Sequence, residues 1–367
     1  MPRRAGFVLF ILLLTACSND QRILEDLGMI QVSAYDLAAD NKIKVTVALP
    51  YSDPVSKVTR LVLSETADSS KEARLQFSRQ TDLIMVSGQM RNTLFGSSMA
   101  EQGLKKHIDT LLRDPSVALG VHLTVVNGNA GEFLAKNYPP HIFTGQYVLQ
   151  LLSKEGARNI VPVTRLYEFT RDYNDDGIDP VAPIVKDAGK NAAVDGIALF
   201  QDDRYRMKIP VKDGIIFNLF RENIKQGELA LELGGEKKPK DVALLSAMSA
   251  KRKVKVKRLS DKHFKVDINV SVQGSVLEYT GRKMLDIKNQ RNQVEADMAE
   301  YITSHADKMV KEMQLHNVDS LGIGQYVRNS LSYREWKSMN WREVYPKIQI
   351  NCHTKVLIKN YGKYRRT

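Results

Sequence analysis

The last third of the chain changes the spacing of its apolar residues twice, which limits the folds it can adopt. Residues 253–272 alternate polar and apolar side chains on both sides of Ser260-Asp261, the pattern of two half-buried antiparallel strands joined by a turn. Residues 288–315 place apolar side chains three and four positions apart, which predicts one long amphipathic helix. Residues 348–358 return to alternation. This order predicts an α+β domain whose long helix packs on the sheet.

The residues before this domain predict shorter elements. Asp40-Asn41 separates alternating residues 29–35 and 43–49, and this pattern indicates a hairpin. A second hairpin is predicted around Asp202-Asp203, between strands at 197–200 and 205–209. The remaining predictions are a polar surface excursion at 65–75, a buried strand at 83–86, a further strand at 121–126, and helices at 99–112, 130–135, 145–155 and 214–224.

Residues 172–193 are polar and carry Gly and Pro, which favours a domain boundary there. We therefore predict an N-terminal α+β region at 27–190, with room for two subdomains, and a C-terminal α+β domain at 195–367. The fold class predicted for the whole chain is α+β, with several small domains and mainly antiparallel sheets.

The N-terminus carries an export pattern. Arg3 and Arg4 precede an uncharged apolar run at 5–14, and small residues follow it, as in a signal peptide. The run is shorter than the roughly 20 apolar residues that span a bilayer. Leu14-Thr15-Ala16-Cys17 resembles the lipobox of bacterial lipoproteins. That resemblance implies cleavage after residue 16, a diacylglyceryl or palmitoyl lipid on Cys17, and a lipidated tether at 17–26. The alternative is that Cys17 is an ordinary residue ending a signal peptide or signal anchor.

The net charge indicates which kinds of partner the chain can attract, and the cysteine content indicates whether it can form a disulfide. Without Arg3 and Arg4 the chain has 52 basic and 42 acidic residues, a net charge of +10. A basic body is attracted to anionic lipid, although nucleic acid would satisfy the same charge. The second cysteine, Cys352, lies in an alternating strand and is predicted to be a small buried apolar residue. No disulfide is predicted.

The motifs that suggest chemistry are incomplete. Residues 172–177 resemble the start of a calcium loop, but Pro183 stands where a bidentate Glu is needed, so a solvated turn is the favoured interpretation. Gly322-Ile323-Gly324 lacks the third glycine of a dinucleotide loop and is interpreted as a loop after a helix. The basic run 251–258 is interpreted mainly as the solvent face of a strand, with lipid contact as a lesser option. Trp336 and Trp341 are predicted to plug the edge of a core.

Sets of residues for catalysis or metal binding are missing from the sequence. The seven histidines are scattered without zinc-ligand spacing, and neither a G-x-S-x-G elbow nor a P-loop is present. We predict that the chain is not an enzyme. We also predict that it holds no metal and no cofactor other than the lipid on Cys17.

After the lipobox come Asp26-Leu27-Gly28-Met29-Ile30 and the strand 45–50, and further motifs follow at 94–100, 196–203, 319–324 and 336–346. The order of these motifs resembles the Ger(x)C lipoproteins, the C subunits of bacterial spore germinant receptors, and the strand 45–50 is similar to the family's "vt…P" strand. The later matches are 94–100 with "iiGe.lA", 196–203 with "GtAvFkdd", 319–324 with "DifGlG", and Trp336, Trp341 and Tyr345-Pro346 with "W…W…fP". The chain departs from the family at Ser18, where many members have Trp, and at Ser97, where many have Glu.

This resemblance implies a non-enzymatic subunit of a nutrient sensor that acts by protein contact. It would be anchored by lipid on the outer face of the spore inner membrane, beside an integral-membrane subunit and a subunit with a large soluble domain, without nucleic acid. The alternative is a solute-binding lipoprotein of a transporter. Antiparallel hairpins in the C-terminal half count against that alternative, since such proteins form two lobes of βα units. A lipoprotein hydrolase is a third hypothesis, and the sequence shows no set of nucleophile and base that would support it.

Overall fold

A computed structural model of the chain describes residues 23–51, 59–141, 143–234, 241–260 and 262–362. Across these residues, no helix combines the length and the apolar character needed to cross a membrane. The strands are β1 (Leu27–Met29), β2 (Val32–Leu37), β3 (Ile43–Pro50), β4 (Arg60–Ala67), β5 (Ile84–Val86), β6 (Asn92–Gly96), β7 (His122–Val126), β8 (Val181–Asp187), β9 (Ala192–Gln201), β10 (Arg204–Ile209), β11 (Leu229–Leu233), β12 (Asp241–Ser260), β13 (His263–Tyr279) and β14 (Gln349–Asn360).

The helices of the described residues are mostly short, with one exception of 28 residues. They are α1 (Ser70–Phe77), α2 (Ser97–Gln102), α3 (Lys105–Leu112), α4 (Ala130–Ala135), α5 (Thr144–Ala157), α6 (Leu166–Asn174), α7 (Val211–Arg221), α8 (Lys288–Leu315), α9 (Ile323–Asn329), α10 (Tyr333–Lys337) and α11 (Trp341–Val344). Short 3-10 turns lie at Leu24–Asp26, Ala39–Asn41 and Tyr345–Lys347.

The larger sheet has eight strands in the order β10-β9-β8-β7-β6-β2-β3-β4. Its outer pairs are antiparallel and include both predicted hairpins, β2 with β3 and β9 with β10. Its central pairs, β2 with β6, β6 with β7 and β7 with β8, are parallel. Parallel neighbours require crossover connections, and the helices between these strands lie in those connections. The α+β fold class is confirmed, with parallel pairs added at the centre of this sheet.

The four-stranded second sheet has the order β11-β12-β13-β14 and carries α8 on one face, and β1 and β5 form a separate parallel pair. The predicted helix at 288–315 is confirmed, and its buried side chains share one stripe: Val294, Met298, Ile302, Ala306, Val310 and Met313. The β12–β13 pair is antiparallel, whereas β14 runs parallel to β13. Since α8 lies between β13 and β14 in the chain, it supplies the crossover that a parallel pair needs.

Helix α7 packs between the two sheets. It contacts β9 and β10 of the larger sheet and also β12, β13 and α8. Seven consecutive residues of this helix, 214–220, are buried, which is the pattern of a helix enclosed on all sides. One hydrophobic cluster consequently runs from Val32 and Leu94 in the larger sheet to Val294 in α8, while a second covers the opposite face of the larger sheet.

The predicted division into 27–190 and 195–367 stays a prediction, and two observations bear on its interpretation. Strand β8 occupies 181–187, within the polar stretch, and its first five residues are buried. Strands β9 and β10 extend the larger sheet beyond residue 190. The larger sheet therefore contains residues from both sides of the predicted boundary.

Three local predictions were wrong in part. The helix predicted at 99–112 is two helices, because Gly103 has φ of 128°, a backbone conformation that L side chains rarely adopt. The polar excursion predicted at 65–75 is the end of β4 and most of α1, which Ser69 caps by accepting a hydrogen bond from the Glu72 N–H. Strand β5 buries Met85 but leaves Ile84 51% exposed.

Candidate functional site

Cys17, the predicted lipidation site, lies outside the described residues, so its modification stays a prediction. Within the described ranges, no group of three or more His, Cys, Asp or Glu side chains is arranged to hold a metal ion. The Cys352 thiol is buried in β14, as its alternating position predicted. Charged side chains instead cluster at a junction, defined here as residues 172–180 and 319–342 together with Asp202 and Arg221.

Asp179 is the centre of this junction. Its carboxylate is 1% exposed and accepts hydrogen bonds from the backbone N–H groups of Asp202 (3.1 Å) and Asp319 (2.7 Å). The Arg342 guanidinium binds both carboxylate oxygens, at 2.6 and 2.5 Å, and also contacts Asp202 at 2.7 Å. A bidentate pair of this kind fixes orientation as well as charge. Asp179 therefore joins three segments that are far apart in the sequence.

A second buried carboxylate, Asp319, holds the turn into α9. Its oxygens accept from the backbone N–H groups of Ile323 (2.8 Å) and Gly324 (2.7 Å) and from the Trp341 indole (3.0 Å). Gly322 has φ of 68°, which lets the chain turn back over the carboxylate. Gly322 thus lies in the loop before α9, as predicted, whereas Ile323 and Gly324 form the first turn of α9. The N–H groups of Ile323 and Gly324 are occupied by the carboxylate of Asp319.

Burial raises the pKa of Asp319 to about 7, and the nearby charge of Asp179 adds to the increase. The N–H groups of Gly324, Ile323 and the Trp341 indole act in the opposite direction, because they stabilise the ionised form. The surroundings of Asp319 therefore shift its ionisation from acidic pH toward neutral pH.

The calcium-like segment is not the solvated turn that was predicted. Asp172 is 4% exposed and pairs with Arg221 at 2.9 Å. Asp175 pairs with Arg328 at 2.7 Å, and this guanidinium holds the pKa of Asp175 below its ordinary value although burial opposes it. The arginines lie 49 and 153 residues further along the chain, which is why local composition indicated only a polar turn.

Two glycines allow the backbones of the junction to approach closely. A Cβ on Gly177 would lie 2.5 Å from the backbone nitrogen of Gln325, and one on Gly324 would lie 2.6 Å from Nε1 of Trp341. Trp336 and Trp341 are both buried, with ring centroids 5.7 Å apart. The prediction that they close the edge of a core is confirmed.

The junction brings together motifs that are distant in the sequence. The segment 196–203 supplies Asp202, the segment 319–324 supplies Asp319, and the tryptophan motif supplies Trp341 beside Arg342. Sequence reasoning missed Asp179, Arg221, Arg328 and Arg342 as junction residues. For Arg342 the available signal was its position next to Trp341; the others had none. Each of these charged groups has an opposite charge or an N–H group as its partner. The junction therefore holds distant segments of the chain together in a fixed arrangement.

Two family models match successive parts of the chain. Residues 20–187 match the family model described as the spore germination protein N-terminal domain, and residues 195–362 match the spore germination B3/GerAC-like C-terminal model. Spore germination protein GerQC of Bacillus cereus is 26% identical over 362 residues, covering 99% of each chain. The crystal structure of the GerBC protein is similar in fold, with a TM-score of 0.58 at 14% identity, over 92% of this chain and 100% of that one. The chain belongs to the Ger(x)C family of spore germination proteins.

Proposed function

We propose that this chain is the C subunit of a spore nutrient germinant receptor and acts by protein contact rather than catalysis. The observation that carries the proposal is the alignment with a spore germination protein along 99% of both chains. Because the match runs from end to end, it includes the junction and both sheets. Its partners would be the integral-membrane subunit and the soluble-domain subunit of the same receptor.

The proposal includes a lipid anchor on Cys17. The sequence Leu14-Thr15-Ala16-Cys17 follows directly after the apolar run. A thiolate is the nucleophile suited to accept a diacylglyceryl group. Each buried methylene contributes about 0.8 kcal/mol, and stable attachment needs more than one acyl chain. The anchored body would lie on the outer face of the spore inner membrane.

Two observations support a contact role over the alternatives. The buried acids of the junction, Asp172, Asp179 and Asp319, are occupied by arginines or N–H groups, which leaves them unsuited to acid–base catalysis. A transporter's solute-binding protein needs two lobes that move about a hinge, whereas α7 and a continuous hydrophobic cluster pack the larger sheet against the second sheet here. A rigid, lipid-held body suits a receptor subunit.

The test compares spores that lack the gene with spores that carry the wild-type gene or Cys17→Ala. Deletion is expected to abolish the response to at least one nutrient, and the wild-type gene is expected to restore it. Cys17→Ala is expected to lose radiolabelled palmitate and to shift the protein from the membrane to the soluble fraction. Spore number, counted by microscopy, controls for sporulation defects.

Unchanged germination of the deletion strain with every nutrient tried would contradict the receptor proposal. Palmitate that remains on the Cys17→Ala protein would contradict the anchor. The two results are separable, because the first concerns signalling and the second concerns only attachment.

A further inference from the structure

The second sheet has one face that no described helix covers. Helix α8 packs on the inner face, which carries the even-numbered residues of 264–272 and their neighbours on β12 and β14. The odd-numbered residues of 249–257, 265–273 and 349–357 are registered side by side on the other face. We call these fifteen positions the basic sheet face. The prediction that the run 251–258 is the solvent side of a strand is confirmed for its lysines.

The basic sheet face is strongly cationic. It contains six lysines, namely Lys251, Lys253, Lys255, Lys257, Lys265 and Lys355, with one carboxylate, Asp267. Asp267 is already engaged by Asn351 at 2.8 Å and His353 at 3.3 Å. Among the described residues, no carboxylate forms a close ion pair with any of the six lysines, and the charge of Lys265 acts on Asp267 only from a distance. Their charge is therefore available to a partner outside the chain.

One end of this face forms a groove of about 710 Å³. Lys225, Lys251 and Lys355 line it, and its lining contains no acid. Arg252 also lies at this end, but its guanidinium is bound by Tyr326 and the Leu321 carbonyl. Leu357 lies at the same end and is 43% exposed. The groove thus combines several cations with an accessible apolar side chain, which matches the phosphate and glycerol region of a phospholipid.

We propose that the basic sheet face binds the surface of a bilayer that contains anionic phospholipid. Lysines that extend from a flat sheet can reach several headgroup phosphates at once, and basic clusters near a membrane bind anionic lipid in this way. This inference rests on the proposed function in one respect, namely that the lipid anchor brings the face close to a membrane. The face would orient a body that the Cys17 lipid merely tethers, so that the opposite side with α8 points away from the bilayer.

Charge alone would also suit a nucleic acid or an acidic protein. Proteins that bind single-stranded nucleic acid stack bases on aromatic side chains, and the fifteen positions of the face include none of Phe, Tyr or Trp. The flat shape and the exposed leucine beside the cations favour a lipid surface over an acidic peptide.

The test uses the chain from residue 18 onward, which includes every described residue but cannot carry the lipid. Its binding to vesicles of phosphatidylcholine with about one third phosphatidylglycerol is measured by sedimentation. The variant Lys251→Gln/Lys253→Gln/Lys255→Gln removes three charges from the face. A matched variant, Lys106→Gln/Lys154→Gln/Lys190→Gln, removes three charges from exposed positions elsewhere. Circular dichroism and thermal melting check that both variants fold.

We expect binding to the anionic vesicles but not to pure phosphatidylcholine, and loss of binding in about 0.5 M salt. Each basic residue near an anionic bilayer strengthens binding roughly five-fold, so the face variant should bind on the order of 100-fold more weakly. The matched variant should change less than about three-fold, since its lysines are not on the face.

Absence of binding to anionic vesicles at low salt would overturn the proposal, as would equal weakening by both variants. A face variant that still binds vesicles but no longer binds polyglutamate or duplex DNA would assign the face to another partner and also overturn it. The protein in this assay lacks both the lipid on Cys17 and the receptor partners. The outcome of the assay is therefore independent of the germination and palmitate experiments.

Discussion

Asp319→Asn should remove a pH dependence that the wild-type junction adds to stability. The pKa of Asp319 is raised from 3.8 to about 7 in the folded chain. A raised carboxyl pKa means that the folded state holds the proton more tightly than the unfolded state. The stabilisation from this proton is fully present below about pH 4 and is lost as the pH rises through 7. Lowering the pH from about 8 to about 6 should therefore raise the free energy of unfolding by about 1 kcal/mol through Asp319.

The measurement is urea unfolding of wild type and Asp319→Asn at both pH values, followed by tryptophan fluorescence. The two tryptophans of the chain, Trp336 and Trp341, both lie at the junction, so the signal reports on the relevant region. Other groups titrate as well. Burial lowers the pKa of His107 and His122, which destabilises the folded state as the pH falls. Both histidines are present in both proteins, so the difference between the two proteins isolates Asp319.

The variant should be less stable at both pH values, because an amide nitrogen replaces one of the oxygens that accept N–H groups. That loss does not affect the reasoning, which concerns only the change with pH. If the gap between wild type and Asp319→Asn is equal at pH 8 and pH 6, the carboxylate stays ionised in this range. The three N–H donors would then outweigh burial, and the raised pKa would be refuted.

Two further predictions concern packing and charge. Arg342→Met should cost about 3–5 kcal/mol in urea unfolding, because it leaves the buried carboxylate of Asp179 without its guanidinium. Asp202→Asn should cost less than about 1 kcal/mol, since that carboxylate side chain is 63% exposed, and an equal cost would contradict the assignment. Met298→Ala should cost about 2–5 kcal/mol, because the side chain is fully buried on the face of α8 that packs on the sheet. The exposed Gln293→Ala on the same helix should stay within about 0.5 kcal/mol, and similar losses for the two would argue against the packing.

Periodic segments were predictable from the sequence because each one reports its own environment. Helix α8 begins and ends where its apolar spacing begins and ends, at 288 and 315. The alternation of 253–272 likewise identified both the strands and the face that turns away from the core. In these segments the burial of one side is repeated over many residues, so that single exceptions do not obscure the pattern.

The junction could not be predicted in the same way. Asp179 and Arg342 are separated by 163 positions, and nothing near either residue indicates a partner. The same limit applies to the parallel pairing of β13 with β14, which depends on a crossover rather than on a local turn. The break at Gly103 was missed for a different reason, since a single glycine in a helical pattern is often tolerated.

The buried position of Cys352 makes its reactivity a measure of local opening of the chain. The residue is 4% exposed in the strand beneath α8, and burial raises the pKa of its thiol, so a thiol reagent in solution reaches little reactive thiolate. In a Cys17→Ala chain no other cysteine remains. The rate at which an alkylating reagent adds to such a protein would count how often α8 lifts from the sheet, without any engineered probe.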